Sequence, residues 1–177
     1  KMEIKNSTVI VTGGSSGLGA ATAELIVNCG GNVLIADIND KHGHELAKKL
    51  GSQALYQHCD VSDPNDADKT LETVLSHFGA INGLVNCAGI AIGEKTTGKR
   101  GAHRLDSFQK VITINLIGTF NMIRVVSTSM AQAQPNEKGE RGVIVNTASV
   151  AAYDGQIGQA AYAASKGGIV GMTLPIA

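Results

Sequence analysis

Short apolar runs alternate with longer amphipathic segments along most of the chain. Residues 8–12 form a continuous β-branched run that ends at glycines, which is typical of a strand buried on both faces. Helical spacing follows over residues 18–29 and stops at Gly30 and Gly31. The same alternation then continues to the end of the sequence. It predicts strands at 32–36, 54–58, 84–85 and 143–147, and helices at 40–50, 63–79, 106–130 and from 160 onward.

This alternation predicts the fold class. Strands that alternate with helices at this pace require right-handed crossovers and a parallel sheet covered by helices on both faces. We therefore expect an α/β, doubly wound, Rossmann-type sheet in a single NAD(P)-binding domain over residues 1–177. The polar stretch at residues 93–104 is predicted to be a loop.

A glycine-rich turn joins the first strand to the first helix. Gly13, Gly17 and Gly19 allow a tight turn, a close approach of the backbone to a pyrophosphate, and close packing of the helix on the strand. The free N–H groups at the start of the helix would face the phosphates. No Gly-Lys-Ser/Thr follows, which excludes a P-loop. The turn predicts a dinucleotide site, and a tight turn without a ligand is the alternative.

Asp37, at the end of the second strand, predicts which nicotinamide cofactor binds. A carboxylate at this position accepts hydrogen bonds from the ribose hydroxyls and repels a 2′-phosphate. Neither Gly14, Ser15 nor Ile38 supplies a cation for such a phosphate, so NAD is expected rather than NADP. The alternative is that Asp37 caps the second helix, although Asp40 is better placed for that role.

Two further segments follow strands at the sheet edge where open α/β sheets bind their ligands. Asp60 and Val61 are predicted to cover the adenine, and residues 86–89 offer small side chains beside the nicotinamide ribose. Cys87 is interpreted as a packing residue, because no base lies near it in sequence that could activate a nucleophile.

A serine, a tyrosine and a lysine form the sharpest group of candidate catalytic residues. Tyr162 and Lys166 are four residues apart on a predicted helix and hence lie on one face. A lysine ammonium stabilises a neighbouring phenolate, which prepares the tyrosine to accept a proton. Ser149 directly follows the fifth strand. The alternative is a half-buried tyrosine beside an ordinary surface lysine.

These motifs stand in the order and spacing of a known family. The chain resembles the short-chain dehydrogenases/reductases over essentially its whole length, although Cys87 replaces the second Asn of the usual Asn-Asn-Ala-Gly. The resemblance implies that Tyr162 is the general acid/base, that Ser149 hydrogen-bonds the substrate oxygen, and that Lys166 binds the nicotinamide ribose. It also implies that Asn115 holds a proton-relay water.

The resemblance also implies a set of binding residues. The implied NAD contacts are Gly13, Ser15, Ser16, Gly17, Leu18, Gly19, Asp37, Asp60, Val61, Cys87, Ala88, Gly89, Tyr162 and Lys166. The implied substrate contacts are Ser149, Gln156 and Tyr162. No metal site is expected, because the histidines and cysteines are scattered without ligand spacing.

Residues 86–91, 141–152 and 155–162 are similar to one subgroup of this family, whose substrates are 3-hydroxyacyl-CoA thioesters and hydroxysteroids. We therefore expect an oxidoreductase that transfers hydride between NAD and a secondary alcohol or ketone of such a substrate. The alternatives are a reductase of another alcohol, such as a 3-oxoacyl-carrier-protein or a sugar, and a catalytically silent NAD-binding protein.

The stretch at 93–104 corresponds to an insertion near the acyl-CoA entrance in that subgroup. Its four cations are expected to meet the CoA phosphates, and a solvated loop is the alternative. These cations are Lys95, Lys99, Arg100 and Arg104.

Composition narrows the range of partners. Fifteen Lys and Arg balance fifteen Asp and Glu, so nothing favours a nucleic acid or an anionic membrane as a partner. No uninterrupted apolar run approaches the ~20 residues that span a bilayer. The unpaired cysteines suit a reducing compartment, so a cytoplasmic location is expected, or the mitochondrial matrix in a eukaryote.

The predicted helix at 106–130 carries apolar residues on two faces. A helix that covers its own sheet needs one such face, so the second is predicted to pack against another subunit. The family resemblance implies a homotetramer. One face has Phe108, Ile112, Leu116, Ile123 and Met130, and the other has Val111, Ile114, Met122 and Val125.

Members of this family have further strands after the helix that carries the tyrosine and lysine, and none is predicted before Ala177. We therefore expect a C-terminally truncated chain that lacks those strands. Residues 143–147 would then form an apolar sheet edge. A polypeptide ending at Ala177 would be expected to show little dehydrogenase activity.

Overall fold

A parallel sheet of five strands forms the centre of the computed structural model, which describes residues 3–99 and 101–177. The strands of this sheet are β1 (Thr8–Thr12), β2 (Asn32–Asp37), β3 (Ala54–His58), β4 (Gly83–Asn86) and β7 (Val143–Asn146), and a separate hairpin is formed by β5 (Thr97–Gly98) and β6 (Gly101–Ala102). The helices are α1 (Gly17–Asn28), α2 (Asp40–Leu50), α3 (Pro64–Phe78), α4 (Leu105–Ile112), α5 (Thr119–Gln132) and α6 (Ala160–Ile176).

The strand order in the sheet is β3-β2-β1-β4-β7, with every pair parallel. Thr12 of β1 is level with Ala36 of β2 on one side and with Asn86 of β4 on the other. The chain therefore reverses its direction of winding at β1. The connections that follow β1 and β4 leave the sheet in opposite directions, so a crevice opens between them at the carboxyl ends of these strands. This architecture confirms the predicted doubly wound Rossmann-type sheet.

Successive residues of the strands point to opposite faces, and both faces are buried. Val9, Val11 and Ile35 pack in the cluster on the side of α1 and α2. Ile10 and Leu34 pack in the opposite cluster, which includes side chains of α3 and α5. Burial on both faces explains why these strands are almost continuously apolar in sequence.

The segment predicted as a polar loop contains a short hairpin. Thr97 pairs with Ala102 and Gly98 with Gly101, in antiparallel orientation. Glycine and threonine in such short strands carry no alternation of apolar and polar residues, so the prediction of a loop was wrong for these four positions.

The predicted helix at 106–130 is two α-helices joined by a π-helical turn at Thr113–Gly118. The run Leu105–Gln132 is long and apolar enough to cross a membrane by composition, but half of its most apolar window is buried inside the fold. A core helix passes the same test, and burial against the sheet accounts for these apolar residues.

The second apolar face of this helical run is covered by the chain itself. Val111, Met122 and Val125 are all buried. The argument that this face needs another subunit was therefore wrong. The exposed apolar side chains of this helical run include Ile117 and Phe120, which belong to neither of the two predicted faces.

Helix α2 begins at a cap that the sequence interpretation assigned to the wrong residue. The Asn39 side chain accepts a hydrogen bond from His42 N at 3.2 Å, whereas Asp40 is the first helical residue. The Asp40 carboxylate instead accepts from the Tyr56 hydroxyl at 2.6 Å and contacts His58 Nδ1 at 2.7 Å. These two hydrogen bonds lower the pKa of Asp40.

Gly43 of α2 gives a test of this packing. A Cβ at this position would overlap the ring of Tyr56, whose hydroxyl is held by Asp40 and by the Asp37 carbonyl at 2.8 Å. We expect Gly43→Ala to lower the free energy of unfolding by about 1–3 kcal/mol through overpacking. The measurement is urea denaturation followed by circular dichroism.

Gly171→Ala is the matched control, because Gly171 is also helical and has no atom within 4 Å of an added Cβ. The control should be neutral or stabilising by up to about 1 kcal/mol, since alanine has the higher helix propensity. Equal effects of the two substitutions would contradict the packing argument.

Candidate cofactor cleft and active site

A cleft of about 370 Å³ opens at the carboxyl ends of β1, β2, β3 and β4. Most of the residues predicted to bind the cofactor line it together, although they come from four separate loops. The predicted residues that line it are Gly13, Ser16, Gly17, Leu18, Gly19, Asp37, Asp60, Val61, Cys87, Ala88 and Gly89. Ile38, Cys59 and Ile90 also line it and were not predicted.

The turn after β1 can be formed only by glycine at two positions. Gly13 has a φ of +61°, and a Cβ there would lie 2.7 Å from Ala88 N. A Cβ on Gly19 would lie 2.7 Å from the carbonyl carbon of Gly13. Gly17 has a φ of +52° and nothing within 4 Å of an added Cβ, which leaves its backbone open to the cleft. The turn thus fits a pyrophosphate at the start of α1.

Asp37 stands at the rim of the cleft and is tied to the glycine turn. Its Oδ2 accepts a hydrogen bond from Ser15 N at 3.0 Å, and its Oδ1 accepts from Asn39 N at 3.0 Å. Ser15 does not line the cleft itself but holds this carboxylate in place. The next residue, Ile38, is 66% exposed and carries no charge. A negative rim without a cation suits ribose hydroxyls and disfavours a 2′-phosphate.

The floor of the cleft after β4 is held by side chains of neighbouring strands. The Thr12 hydroxyl accepts from Ala88 N at 3.2 Å and donates to Asn86 Oδ1 at 3.4 Å. The Asn86 amide in turn donates to Asn146 Oδ1 at 2.8 Å. Residues 87–89 are therefore positioned from both β1 and β7.

Asp60 and Val61 border the cleft after β3. The Asp60 carboxylate accepts from Ser62 N at 2.9 Å and from the Ser62 hydroxyl at 2.7 Å. Val61 is buried, and its carbonyl accepts from Asn121 Nδ2 at 2.8 Å. The loop is thus fastened to α5.

Lys166 is a buried cation close to the predicted catalytic tyrosine. Its side chain is 6% exposed, and its Nζ lies 5.7 Å from the centroid of the Tyr162 ring. The ammonium donates to the Thr147 carbonyl at 2.6 Å. Burial lowers the pKa of Lys166, and its electrostatic interaction with Cys87 opposes that shift. Burial likewise raises the pKa of the Cys87 thiol, which argues against a nucleophile.

Neither Tyr162 nor Lys166 lines the cofactor cleft, but Lys166 bonds the segment that follows β7, and Tyr162 lies one helical turn before Lys166. Thr147 and Ser149 belong to that segment, and the Thr147 hydroxyl donates to the Asn86 carbonyl. The Ser149 hydroxyl accepts from Ala151 N at 3.1 Å, which leaves its own hydrogen available to another acceptor. Tyr162 is half-buried in the first turn of α6.

Gln156, predicted to contact substrate, lines a second cleft of about 500 Å³ together with Lys95. This cleft lies between the hairpin segment and the loop before α6. Glu94 N donates to the Gly158 carbonyl at 2.9 Å and joins the two. The predicted substrate residue is thus separate from the cofactor cleft and adjacent to the hairpin.

Of the four predicted cations of the hairpin segment, Lys95 and Lys99 are exposed and line a cleft of about 730 Å³. Arg104 also lines this cleft but is engaged, with Nε 3.5 Å from Glu94 Oε2 and Nη2 donating to Ser107 Oγ at 2.5 Å. Arg100 lies outside the described residues.

Asn115 is fully buried in the π-helical turn, and its side chain is hydrogen-bonded to other groups of the protein. Its Oδ1 accepts from Ile90 N at 2.8 Å, and its Nδ2 donates to the Ile90 carbonyl at 2.9 Å and to Ser165 Oγ at 3.1 Å. Its carbonyl accepts from the Thr119 hydroxyl at 2.7 Å. The role of Asn115 as holder of a relay water stays a prediction, and its side chain fastens the cleft wall to α6.

Comparison with known proteins decides the family. The model of a family described as short chain dehydrogenase matches residues 7–177. The chain belongs to the short-chain dehydrogenase family. This short-chain dehydrogenase is accordingly an oxidoreductase with NAD as its cofactor, which confirms the prediction made from the glycine turn and Asp37.

Individual relatives agree with this assignment. The chain is 53% identical over 176 residues to a 3-hydroxyacyl-CoA dehydrogenase type-2 of Drosophila melanogaster, covering 98% of this chain and 69% of that protein. It is 50% identical to the Homo sapiens protein of the same name, covering 98% and 67%. The crystal structure of 3-hydroxyacyl-CoA dehydrogenase type-2 from Mycobacterium avium superposes with a TM-score of 0.93 at 35% identity, covering 99% of this chain and 70% of that one.

Several site residues of this short-chain dehydrogenase were not predicted. Ile38 and Ile90 each follow a predicted position directly, so the strand ends offered a signal for them. Thr147 acts through its backbone carbonyl, and Ser165 bonds a partner 50 residues away. The sequence therefore offered no signal for either residue. In residues 3–99 and 101–177 there is no group of three or more His, Cys, Asp or Glu that could hold a metal ion.

Asp37 gives a test of cofactor selection. Asp37→Asn keeps an acceptor oxygen for the glycine turn but removes the negative charge, and Ile38→Arg adds a cation at an exposed position. We expect the double variant to raise affinity for NADPH relative to NADH by about 10-fold or more, equivalent to ~1.4 kcal/mol. Fluorescence titration with both cofactors measures the ratio.

Ile38→Arg alone serves as the control for added charge. It should change the ratio less than the double variant, because the Asp37 carboxylate still opposes the phosphate. An unchanged ratio in the double variant would show that Asp37 does not face the ribose.

Proposed function

We propose that this protein oxidises the 3-hydroxyl group of 3-hydroxyacyl-CoA thioesters to a ketone, and catalyses the reverse reduction. The observation that carries the proposal is the Tyr162–Lys166 pair on one face of α6, with the buried ammonium 5.7 Å from the ring centroid and bonded to the Thr147 carbonyl. The identity of 50–53% to proteins named 3-hydroxyacyl-CoA dehydrogenase type-2 supports the substrate class.

The chain's own residues supply the proton chemistry. NAD held in the cleft lined by Gly13, Asp37 and Ala88 would supply the hydride acceptor for the carbinol carbon. In the oxidation, Tyr162 starts as a phenolate, which the Lys166 ammonium stabilises, and it takes the hydroxyl proton to become a phenol. The Ser149 oxygen accepts from Ala151 N, and its hydroxyl hydrogen is donated to the substrate oxygen. The Thr147 carbonyl holds the ammonium in position.

Two features beside α6 support an acyl-CoA as the substrate. Ile157 and Tyr153 are 88% and 80% exposed on the segment that leads to Tyr162, and they offer apolar surface to an acyl chain. Lys95 and Lys99 are exposed on the hairpin that Glu94 joins to the same segment. An acyl-CoA carries an apolar chain at one end and phosphates at the other, which matches this pairing.

The proposal extends to assembly and location. Leu105, Ile117 and Phe120 are 69%, 51% and 48% exposed along one helical run, and this apolar surface supports association into a homotetramer. The free cysteines Cys29, Cys59 and Cys87 are compatible with the reducing compartment that we propose, the cytoplasm or, in a eukaryote, the mitochondrial matrix.

Tyr162→Phe tests the proton transfer in the full-length enzyme. The substitution keeps the ring and removes the hydroxyl, so turnover of acetoacetyl-CoA should fall by at least ~100-fold, the usual scale for loss of a general acid. NADH affinity should stay within about twofold, since the ring still fills its place. Unchanged turnover would reject Tyr162 as the acid. A steroid ketone and a sugar, assayed beside acetoacetyl-CoA, identify the substrate class.

Lys95→Gln with Lys99→Gln tests the recognition of the CoA phosphates. We expect KM for acetoacetyl-CoA to rise about five- to thirtyfold, since each of the two exposed charge contacts is worth roughly 0.5–1 kcal/mol. KM for acetoacetyl-pantetheine, which lacks the nucleotide, should not change. Lys41→Gln with Lys48→Gln, which changes two exposed lysines of α2 outside this cleft, is the matched control. Equal effects on both thioesters would exclude phosphate recognition by the hairpin.

A further inference from the structure

Ser165 lies in α6 between Tyr162 and Lys166 and has no assigned role so far. It is fully buried, at 0% exposure. Its hydroxyl donates to the Tyr162 carbonyl at 2.7 Å and accepts from Asn115 Nδ2 at 3.1 Å. One side chain thus joins the backbone of the predicted catalytic residue to the π-helical turn.

The Asn115 amide continues this connection to the cofactor cleft. It bonds both backbone groups of Ile90, the N–H at 2.8 Å and the carbonyl at 2.9 Å. Ile90 lines the cleft, and a Cβ on the preceding Gly89 would lie 3.2 Å from Asn115 Oδ1. An unbroken chain of hydrogen bonds therefore runs from the cleft wall to the first turn of α6.

The direction of each hydrogen bond in this chain is determined by its neighbours. The Tyr162 carbonyl can only accept, so the single hydrogen of Ser165 is used there and its oxygen can offer Asn115 only a lone pair. The amide must then point Nδ2 toward Ser165, which leaves Oδ1 to accept from Ile90 N. In the opposite orientation of the amide, Oδ1 would face the Ile90 carbonyl, and two acceptors would repel each other.

Loss of the Ser165 hydroxyl would mainly affect the hydrogen bonds of the Asn115 side chain. The Tyr162 carbonyl is also in helical position to accept from the backbone of α6, so it keeps a partner. The second hydrogen of Asn115 Nδ2 would be left buried without an acceptor, which costs free energy. The two bonds to Ile90 would still orient the amide, but its bond to α6 would be lost. A buried donor without an acceptor favours local opening to water, which would loosen the Ile90 contact and the first turn of α6.

We propose that Ser165 is a positioning residue, which ties the first turn of α6 to the Asn115 amide and so sets the distance between Tyr162 and the cofactor cleft. The proposal rests on the function proposed above, because it assigns importance to the place of Tyr162. It makes Ser165 necessary for turnover although the residue touches neither cofactor nor substrate.

Ser165→Ala in the full-length enzyme tests this assignment. We expect kcat to fall by about tenfold or more, since small misplacements of a proton donor have effects on this scale, while NADH affinity and KM stay within about twofold. Hydrogen exchange of the Ile90 amide, followed by mass spectrometry, should become faster. Ser165→Cys, which keeps the size and a weak acceptor, should give an intermediate kcat, and it carries the test if the alanine variant does not fold.

Ser76→Ala is the matched control. Its hydroxyl makes the same local bond to a carbonyl three residues earlier, at 3.1 Å, but on the exposed side of α3. This control should leave kcat and Ile90 exchange unchanged. Asn115→Ala combined with Ser165→Ala should be no slower than Asn115→Ala alone, because two residues that act as a unit do not add their effects.

Three results would overturn the proposal: unchanged kcat in Ser165→Ala, additive losses in the double variant, or unchanged Ile90 exchange. A purely structural role would lower the unfolding temperature but leave kcat of the folded fraction intact. If the wild-type enzyme does not reduce acetoacetyl-CoA, the proposed function fails by itself. The exchange of Ile90 still measures the hydrogen-bond chain in that case.

Discussion

The close approach of the turn after β1 to the loop after β4 is the contact on which the cleft depends. Only a residue without a Cβ fits at Gly13, because Ala88 N would lie 2.7 Å from it. Once this approach is made, Thr12 can bond Ala88 N, and the two loops form one wall. The sheet order places these loops at the point where the winding reverses, so local sterics and topology locate the cofactor together.

Residues whose structure is decided by near neighbours could be predicted from the sequence. The apolar strands around Ile10 and Leu34 are buried on both faces, and their pattern shows it. The hairpin at 97–102 depends on backbone pairing between glycines and threonine, which leaves no apolar pattern. The π-helical turn likewise depends on distant packing, since a Cβ on Gly168 would lie 2.7 Å from a methyl group of Leu116.

The same distinction holds within the site. Tyr162 and Lys166 could be predicted because their spacing along one helix makes them neighbours. The acceptor for the Lys166 ammonium is a backbone carbonyl 19 residues away, and every residue type has one. The orientation of Asn115 depends on partners 25 and 50 residues distant, so only the folded chain reveals it. Motifs identified the reacting groups, and tertiary contacts determine how they are held.

Strand β7 pairs with β4 over residues 143–146 and leads directly into the segment that carries Ser149 and the Thr147 carbonyl. That carbonyl accepts from the Lys166 ammonium, so one strand pairing positions both the serine and the lysine. The adenosine side of the cleft is instead formed by the loops after β1 and β2. Catalytic turnover and cofactor binding therefore report on different parts of the sheet, and a loss of turnover with unchanged cofactor binding would point to the β4–β7 pairing.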